Sequence, residues 1–184
     1  GLGNRLKAVS ENDSDRGHAR FTNRVTDPDT SVRLLTIEDR NTTGLTADWD
    51  EDSNYAALVR DELYSSKQKD TAGGSYGLGK SVLWTFSEAS TVVFNSYPKD
   101  RPKSEGPRLV ARTKLPTHEL DGDDDTYQGA GWLCNPQKTS DGIRPKAITG
   151  DDAKTLAGDL GITRPEKSGT SAMVVGFRNP TRDT

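Results

Sequence analysis

Apolar residues fall in short runs separated by polar, turn-rich segments, and each run has the length of one strand or one helix. β-branched and aliphatic residues predict strands at residues 31–39, 90–96, 108–115 and 169–177. Helical spacing predicts helices at residues 54–63 and 151–161. Residues 81–86 are apolar with helical or strand character. The order of these elements is compatible with an antiparallel sheet and predicts a two-layer α+β domain.

Polar segments separate these elements. Residues 1–31 are mostly polar, residues 97–107 carry prolines and a glycine that do not suit a strand, and residues 117–131 are acidic. We expect these three segments to be mobile loops or insertions within a single domain that spans residues 1–184. Residues 64–80 form a further polar loop that is rich in glycine.

The charge, the cysteine content and the longest apolar runs exclude several classes of protein. The formal net charge of -3 argues against a chain that binds nucleic acid or membranes through its overall charge. It does not argue against a local basic patch. Cys134 is the single cysteine, which excludes an internal disulfide framework and a multi-cysteine zinc site. The sequence has no run of about 18 apolar residues to cross a membrane and no signal-peptide core, so we expect a cytoplasmic protein. Because the chain opens on Gly1 rather than Met, we expect a processed product or a piece of a longer protein.

Residues 74–81 read GSYGLGKS and satisfy the Walker A pattern G-x-x-x-x-G-K-[ST]. In a P-loop, Lys80 contacts the terminal phosphates, Ser81 contacts magnesium, and a buried strand leads directly into Gly74. The residues before Gly74 are polar and do not predict that strand. A glycine loop that feeds a helix start still favours anion binding, because its amides are free and no side chain keeps a phosphate away. A flexible surface loop is the plain alternative.

A pair of carboxylates, Glu38 and Asp39, ends the first predicted strand, and the turn RNTTGL follows. A carboxylate in this place can accept a hydrogen bond from an exocyclic amine. Asn41 and Gly44 tolerate the left-handed backbone that admits a flat ring. An ordinary strand-to-loop turn explains the same residues. A glycine and Thr170 open the last predicted strand.

In this order, the three segments resemble the GHKL ATPases, the ATP-binding domains of gyrase, heat-shock chaperones, histidine kinases and MutL. EDRNTTGL is similar to the first glycine box D-x-G-x-G, GGSYGLGKS to the second glycine box at the end of the ATP lid, and SGTSAMVV to the terminal G-T box. SSK at residues 65–67 is similar to the T-S-K segment of MutL-like members. The resemblance implies a Bergerat-type sandwich, in which helices lie on one face of a mixed, largely antiparallel sheet and ATP binds between the layers.

The resemblance also implies roles for the matching residues. Asp39 is expected to bind the adenine amino group, Gly44 to line the adenine pocket, and Thr170 to support the base. The lid glycines are expected to wrap the phosphates, with charge from Lys80 and further donors from the lid side chains. The full expected nucleotide-binding set is Asp39, Asn41, Thr43, Gly44, Lys67, Gly74, Ser75, Tyr76, Gly77, Leu78, Gly79, Lys80, Ser81 and Thr170.

Two departures from the family pattern concern the adenine end and catalysis. Asn41 replaces the first glycine of D-x-G-x-G, which changes the fine geometry of the adenine end. The family's catalytic Glu and magnesium-binding Asn precede the first glycine box in a pattern like E-x-x-x-N-x-x-D-A, and nothing in residues 1–30 fits it. We therefore expect the catalytic Glu upstream of Gly1, no metal ligand within this chain, and poor hydrolysis by the chain alone.

The interval between Lys80 and Gly169 is longer than in sensor histidine kinases. A long interval is similar to that of MutL, or of the bacterial relatives of the MORC ATPases that are associated with restriction and anti-phage systems. The segments RNTTGL and GGSYGLGKSVLW together are most similar to those bacterial MORC relatives. This branch implies ATP and Mg²⁺ as cofactors, lid closure that drives homodimerisation or partner engagement, and a role in DNA-directed defence, while DNA contact stays open. The alternatives are a nucleotide-sensing or interaction module without turnover, and a P-loop NTPase.

Overall fold

The structure is a computed structural model that describes residues 5–9, 21–25, 27, 29–49, 52–61, 78–120, 122, 124–127, 129–140 and 142–181. In these ranges the strands are β1 (Leu34–Glu38), β2 (Ser87–Tyr97), β3 (Arg108–Lys114), β4 (His118–Glu119), β5 (Thr126–Tyr127), β6 (Ala130–Leu133), β7 (Asn135–Thr139), β8 (Gly142–Lys146), β9 (Ile148–Thr149) and β10 (Gly169–Phe177). The helical segments are α1 (5–9), α2 (21–25), a π-helical turn (Ala56–Arg60), α3 (Leu78–Thr85), a 3₁₀ turn (Lys103–Glu105) and α4 (Gly150–Asp159).

An antiparallel sheet organises the described part of the chain. Its strands lie in the order β1-β10-β2-β3-β6, and β9 also pairs with β3. Ile37 lies opposite Ala172, Ala172 opposite Phe94, and Phe94 opposite Val110. Because successive strand residues point to opposite faces, this row marks one face of the sheet, and its neighbour Val93 marks the other.

The face marked by Phe94 is covered by the π-helical turn and by α3. Ser53 Oγ accepts a hydrogen bond from the Ala56 amide at 3.0 Å, which caps the start of the helical segment 54–60. Helical spacing then directs one side of this segment towards the sheet. The buried cluster on this face consists of Leu45, Tyr55, Val59, Trp84, Val92, Phe94, Val110 and Ala147.

The opposite face is covered by α4. Two small residues of this helix, Ala153 and Ala157, pack with sheet residues that alternate with those of the first cluster. The buried cluster on this face consists of Val93, Leu109, Ala111, Ala153, Ala157, Ile162 and Met173. A third cluster brings α1 and α2 to the sheet through Leu6, Val9, Phe21, Ala89 and Leu115.

The α+β class and the mostly antiparallel sheet predicted from the sequence are confirmed, and all strand pairs of the described residues are antiparallel. The expectation that helices lie on one face needs a correction, because α4 packs on the face opposite the π-helical turn and α3. The physical reason is that the central strands are apolar on both sides. At residues 92–94 of β2 the side chains are buried without alternation, so each face needs a cover.

The three segments predicted to be loops contain regular structure. Residues 1–31 include α1 and α2, residues 97–107 include the 3₁₀ turn, and residues 117–131 include β4, β5 and the start of β6. β4 pairs with β5, and β7 pairs with β8, in two further small sheets. None of the described helices is long and apolar enough to cross a membrane.

Candidate functional site

The turn after β1 is built by hydrogen bonds to the start of β10. The Asp39 amide donates to the Thr170 carbonyl at 2.9 Å, and the Asn41 amide donates to the Ser168 carbonyl at 2.8 Å. Asn41 then adopts a left-handed backbone with φ 60°, which turns the chain away from the sheet. Asparagine suits this position because its short polar side chain tolerates that conformation.

The Asp39 carboxylate is held from one side. Its Oδ1 accepts hydrogen bonds from the Thr170 amide at 2.6 Å and from the Thr42 hydroxyl at 2.7 Å. The described residues donate no hydrogen bond to Oδ2, and the Asp39 side chain lies at the rim of a cavity. The carboxylate is therefore fixed in orientation while one of its oxygens can accept a bond from a ligand.

Gly44 lies where the turn passes closest to the sheet. Its φ is 67°, and a Cβ built at this position would lie 2.7 Å from the Tyr97 carbonyl oxygen and 2.9 Å from Ser96 Oγ. Ser96 Oγ accepts a hydrogen bond from the Leu45 amide at 2.9 Å and donates to the Gly169 carbonyl at 2.8 Å. A side chain at Gly44 would displace the turn from β2 and β10.

A cavity of about 510 Å³ lies beside this turn, between the sheet and the segment 54–60. Its apolar wall consists of Ile37, Leu45, Ala57, Leu58 and Ala172. Ile37 is 50% exposed although it is aliphatic, because its side chain borders this open space. Its other lining residues are Glu38, Asp39, Thr42, Thr43, Gly44, Asn54, Lys80 and Thr170. A flat apolar group with a polar edge suits such a lining.

Two residues connect the elements around the cavity. The Asn54 side-chain amide donates to Thr43 Oγ1 at 2.9 Å, which links the segment 54–60 to the turn. The Lys80 ammonium, on α3, donates to the carbonyls of Ala57 and Asp61. Ala57 is the second residue of the π-helical turn and Asp61 follows its last residue, so both carbonyls are directed towards the C-terminal side of the turn, where a cation is favourable.

Most of the expected residues that the structure describes meet at this cavity. Asp39, Thr43, Gly44, Lys80 and Thr170 line it. The main-chain distances above show that the turn and the G-T segment are in direct contact. Asp39 and Lys80 thus border the same cavity.

Three further expected residues do not line this cavity. Asn41 lines a separate cavity of about 290 Å³ with Lys99, Lys103 and Lys167, because its left-handed backbone directs it to the other side of the turn. Gly79 and Ser81 lie in α3 and are not among the described residues that line the larger cavity. Gly79 is exposed in the first turn of α3.

Leu78 begins the described part of α3. The remaining expected residues, Lys67, Gly74, Ser75, Tyr76 and Gly77, lie outside the described residues.

Sequence reasoning missed the residues behind the carboxylate. Arg164 is buried, and its Nη2 donates to the Asp39 carbonyl at 2.9 Å while its Nη1 donates to Ser171 Oγ at 3.0 Å. Burial lowers the pKa of Arg164, and the nearby carboxylates of Glu38 and Asp39 act against this shift. A lone arginine between a helix and a strand forms no recognisable pattern. The signal that the sequence did offer is Gly169, because a side chain at this position would collide with Arg164.

Glu38 completes the group of charges. Its carboxylate pairs with Arg40 and accepts a hydrogen bond from Ser171 Oγ at 3.1 Å. The hydrogen bond from Arg40 is the main cause that lowers the pKa of Glu38, burial opposes it, and the Ser171 hydroxyl lowers it further. Glu38 is thus held ionised by residues of the turn and of β10.

In the part of the chain that the structure describes, no cluster of side chains forms a binding site for the expected Mg²⁺. No group of three or more His, Cys, Asp or Glu residues is arranged there to hold a metal ion. No protein-family model, no curated protein and no solved structure matches the chain.

Proposed function

We propose that this chain is the ATP-binding core of a GHKL-type ATPase, in which the cavity beside Asp39 takes the adenine base. The observation that carries the proposal is the half-satisfied Asp39 carboxylate. Its Oδ1 is held by the Thr170 amide and the Thr42 hydroxyl, and its Oδ2 is left for a donor such as the exocyclic amine of adenine. Two of the three segments that suggested the family, EDRNTTGL and SGTSAMVV, meet at this turn.

The size and polarity of the cavity support a base as its occupant. Ligand pockets usually measure roughly 300–1,000 Å³ and combine apolar walls with a few polar groups. The volume here is about 510 Å³, with Ile37 and Ala172 on the sheet side and Leu58 on the helical side. These side chains would contact the faces of a flat ring, while Asp39 would read its edge.

The triphosphate end of the proposal depends on the glycine-rich segment before α3, which lies outside the described residues. Lid closure, Mg²⁺, homodimerisation, cytoplasmic location and a role in DNA-directed defence rest on the resemblance alone. Hydrolysis rests on it too, since it would use a Glu that residues 1–30 do not supply in the family's pattern. A sequence upstream carrying E-x-x-x-N would favour the ATPase over a nucleotide-sensing module without turnover.

The P-loop alternative receives less support. It predicts a parallel sheet before Gly74, whereas the described strand pairs are antiparallel and the described residues 54–60 are helical. It also requires the Lys80 ammonium on a phosphate, and this ammonium donates to the carbonyls of Ala57 and Asp61. The GHKL interpretation requires neither feature.

Replacing Asp39 by Asn tests the proposed base recognition. Asp39→Asn retains an acceptor for Thr170 and Thr42 but puts an amide donor where the adenine amine would donate. We expect the affinity for ATP, measured by isothermal titration calorimetry on the 184-residue chain, to fall about ten- to hundredfold, the range for one hydrogen bond to a charged group. The thermal midpoint should change little.

Asp152→Asn is the matched control. Asp152 is an exposed residue in the first turn of α4, on the opposite face of the sheet from the cavity. This variant should bind ATP as the wild type does. Equal ATP affinity of the wild type and Asp39→Asn would remove Asp39 from the proposed role, and absence of ATP binding by the wild type would reject the function.

A further inference from the structure

Arg164 stands directly behind the carboxylate that reads the base. Its guanidinium forks between two acceptors, the Asp39 carbonyl oxygen at 2.9 Å and the Ser171 hydroxyl at 3.0 Å. The Ser171 hydroxyl in turn donates to Glu38 Oε2 at 3.1 Å. One buried cation thus holds both ends of the Glu38–Asp39 pair, and it does so without forming an ion pair with the Asp39 carboxylate.

Gly169 makes this arrangement possible. A Cβ at this residue would lie 2.6 Å from Arg164 Nη2, 2.6 Å from the Asp39 carbonyl oxygen and 2.6 Å from Asp39 Oδ1. The guanidinium, the main chain and the carboxylate therefore converge on a single point that only glycine leaves open. The φ of Gly169, 142°, is also a value that residues with side chains rarely adopt.

The fork geometry requires arginine. A lysine ammonium is a single point of charge and cannot span the Asp39 carbonyl and the Ser171 hydroxyl as a planar guanidinium does. Both hydrogen bonds of the fork come from the terminal nitrogens of Arg164. Its Nε is buried and has no hydrogen-bond partner among the described residues.

We propose that Arg164 is a positioning residue that sets the preference of this site for a 6-amino purine over a 6-oxo purine. It acts through Asp39: the fork fixes the main chain, the Thr170 amide then holds Oδ1, and Oδ2 stays directed towards the base. This inference rests on the proposed function. It names a source of base specificity that the sequence motifs do not contain.

The test compares ATP with ITP, which carries a carbonyl oxygen where ATP carries the amine. A fixed carboxylate attracts the amine and repels the carbonyl, so the wild type should prefer ATP by about tenfold or more. In Arg164→Lys, titration calorimetry should show a loss of most of this preference, chiefly through weaker ATP binding. Ser171→Ala, which removes only one acceptor of the fork, should show a smaller loss and is the variant to use if Arg164→Lys does not fold.

Arg112→Lys is the matched control. Arg112, in β3, is another buried arginine, and its Nη1 donates to the carbonyls of Val59 and Arg60 at 2.9 and 2.8 Å. This variant should lose stability and keep the ATP-to-ITP ratio.

If the Arg164 and Ser171 variants also keep the ratio while the wild type prefers ATP, Arg164 has a purely structural role and the inference is wrong. A wild type that binds neither nucleotide, or binds both equally, rejects base reading by Asp39 itself and the inference with it.

Discussion

Single residues in unusual backbone conformations give the site its shape. Asn41 and Gly44 both have positive φ, at 60° and 67°, and they reverse the chain on either side of Thr43. The sequence correctly indicated that both positions suit a left-handed backbone. It did not indicate that the turn would divide them, with Gly44 lining the larger cavity and Asn41 the smaller one. Turn-forming residues predict that a turn is present, whereas the direction of each side chain depends on the backbone φ of that residue.

Gly44→Ala should destabilise the protein. The left-handed backbone is strained for alanine, and the new methyl group would lie 2.7 Å from the Tyr97 carbonyl oxygen. We expect the free energy of unfolding, measured by urea denaturation, to fall by roughly 1–3 kcal/mol. ATP binding should weaken as well, because the turn that carries Asp39 must shift.

Gly158→Ala provides the comparison for this change. Gly158 lies in α4, is exposed, and has no atom within 4 Å of the position that a Cβ would take. Alanine should raise the free energy of unfolding there by roughly 0.5–1 kcal/mol, because glycine is unfavourable within a helix. If both glycine substitutions gave the same small effect, the close approach at Gly44 would not constrain the fold.

Among the elements, those with strong apolar patterns were predictable. The last strand was expected at residues 169–177 and is observed there, since its β-branched and aliphatic residues suit a buried strand. The hairpin of β7 and β8 was missed, because its strands contain proline and are mostly exposed. Pro136 lies opposite Pro145 in this hairpin. Proline is tolerated on such strands because each has an edge without a partner strand in its two-stranded sheet.

The contact between α3 and the π-helical turn leads to a prediction about Lys80. Its ammonium donates to the carbonyls of Ala57 and Asp61, so it ties α3 to the end of the preceding helical segment. Lys80→Ala should lower the free energy of unfolding by about 1–3 kcal/mol, the cost of losing hydrogen bonds from a charged group. Titration calorimetry should show that the preference for ATP over ITP remains.

Lys154→Ala serves as the control for Lys80→Ala. Lys154 is 46% exposed in α4 and forms surface ion pairs with Asp151 and Glu166 at 3.7 and 3.6 Å. Removing such exposed pairs should change stability by less than about 1 kcal/mol. Complete loss of magnesium-nucleotide binding in Lys80→Ala, with unchanged stability, would contradict the capping role and favour the P-loop alternative.

For the molecule as a whole, the site arises from strand order rather than from sequence proximity. β1 and β10 lie far apart in the sequence, yet they pair along Leu34–Glu38, which brings Asp39 to Thr170. The sequence motifs predicted this meeting only through the family resemblance. Arg164 could not be predicted, because its role depends on the path by which the chain returns from α4 on one face to the central strand β10.

Tyr55 joins the helical segment 54–60 to the sheet, and its burial predicts that the fold loses stability at alkaline pH. Its side chain is buried beneath the Arg108 guanidinium, which lies 4.6 Å from the ring, and its hydroxyl has no hydrogen-bond partner among the described residues. Burial raises the pKa of Tyr55 from 10.0 to about 12. The folded state therefore holds the phenolic proton more tightly than the unfolded state does.

The sign follows from this difference in pKa. The contribution of Tyr55 is fully present below pH 10 and is lost as the pH rises from 10 towards 12, by up to about 2–3 kcal/mol. Tyr55→Phe removes the titrating group and a buried hydroxyl without a partner, so it should be nearly neutral at pH 8 and less sensitive to alkali than the wild type. Urea denaturation of both proteins at pH 8 and at several values between 10 and 12 measures the difference. Parallel losses in the two proteins would show that the core around Tyr55 admits the phenolate, and that this contact between helix and sheet is looser than the burial of the ring indicates.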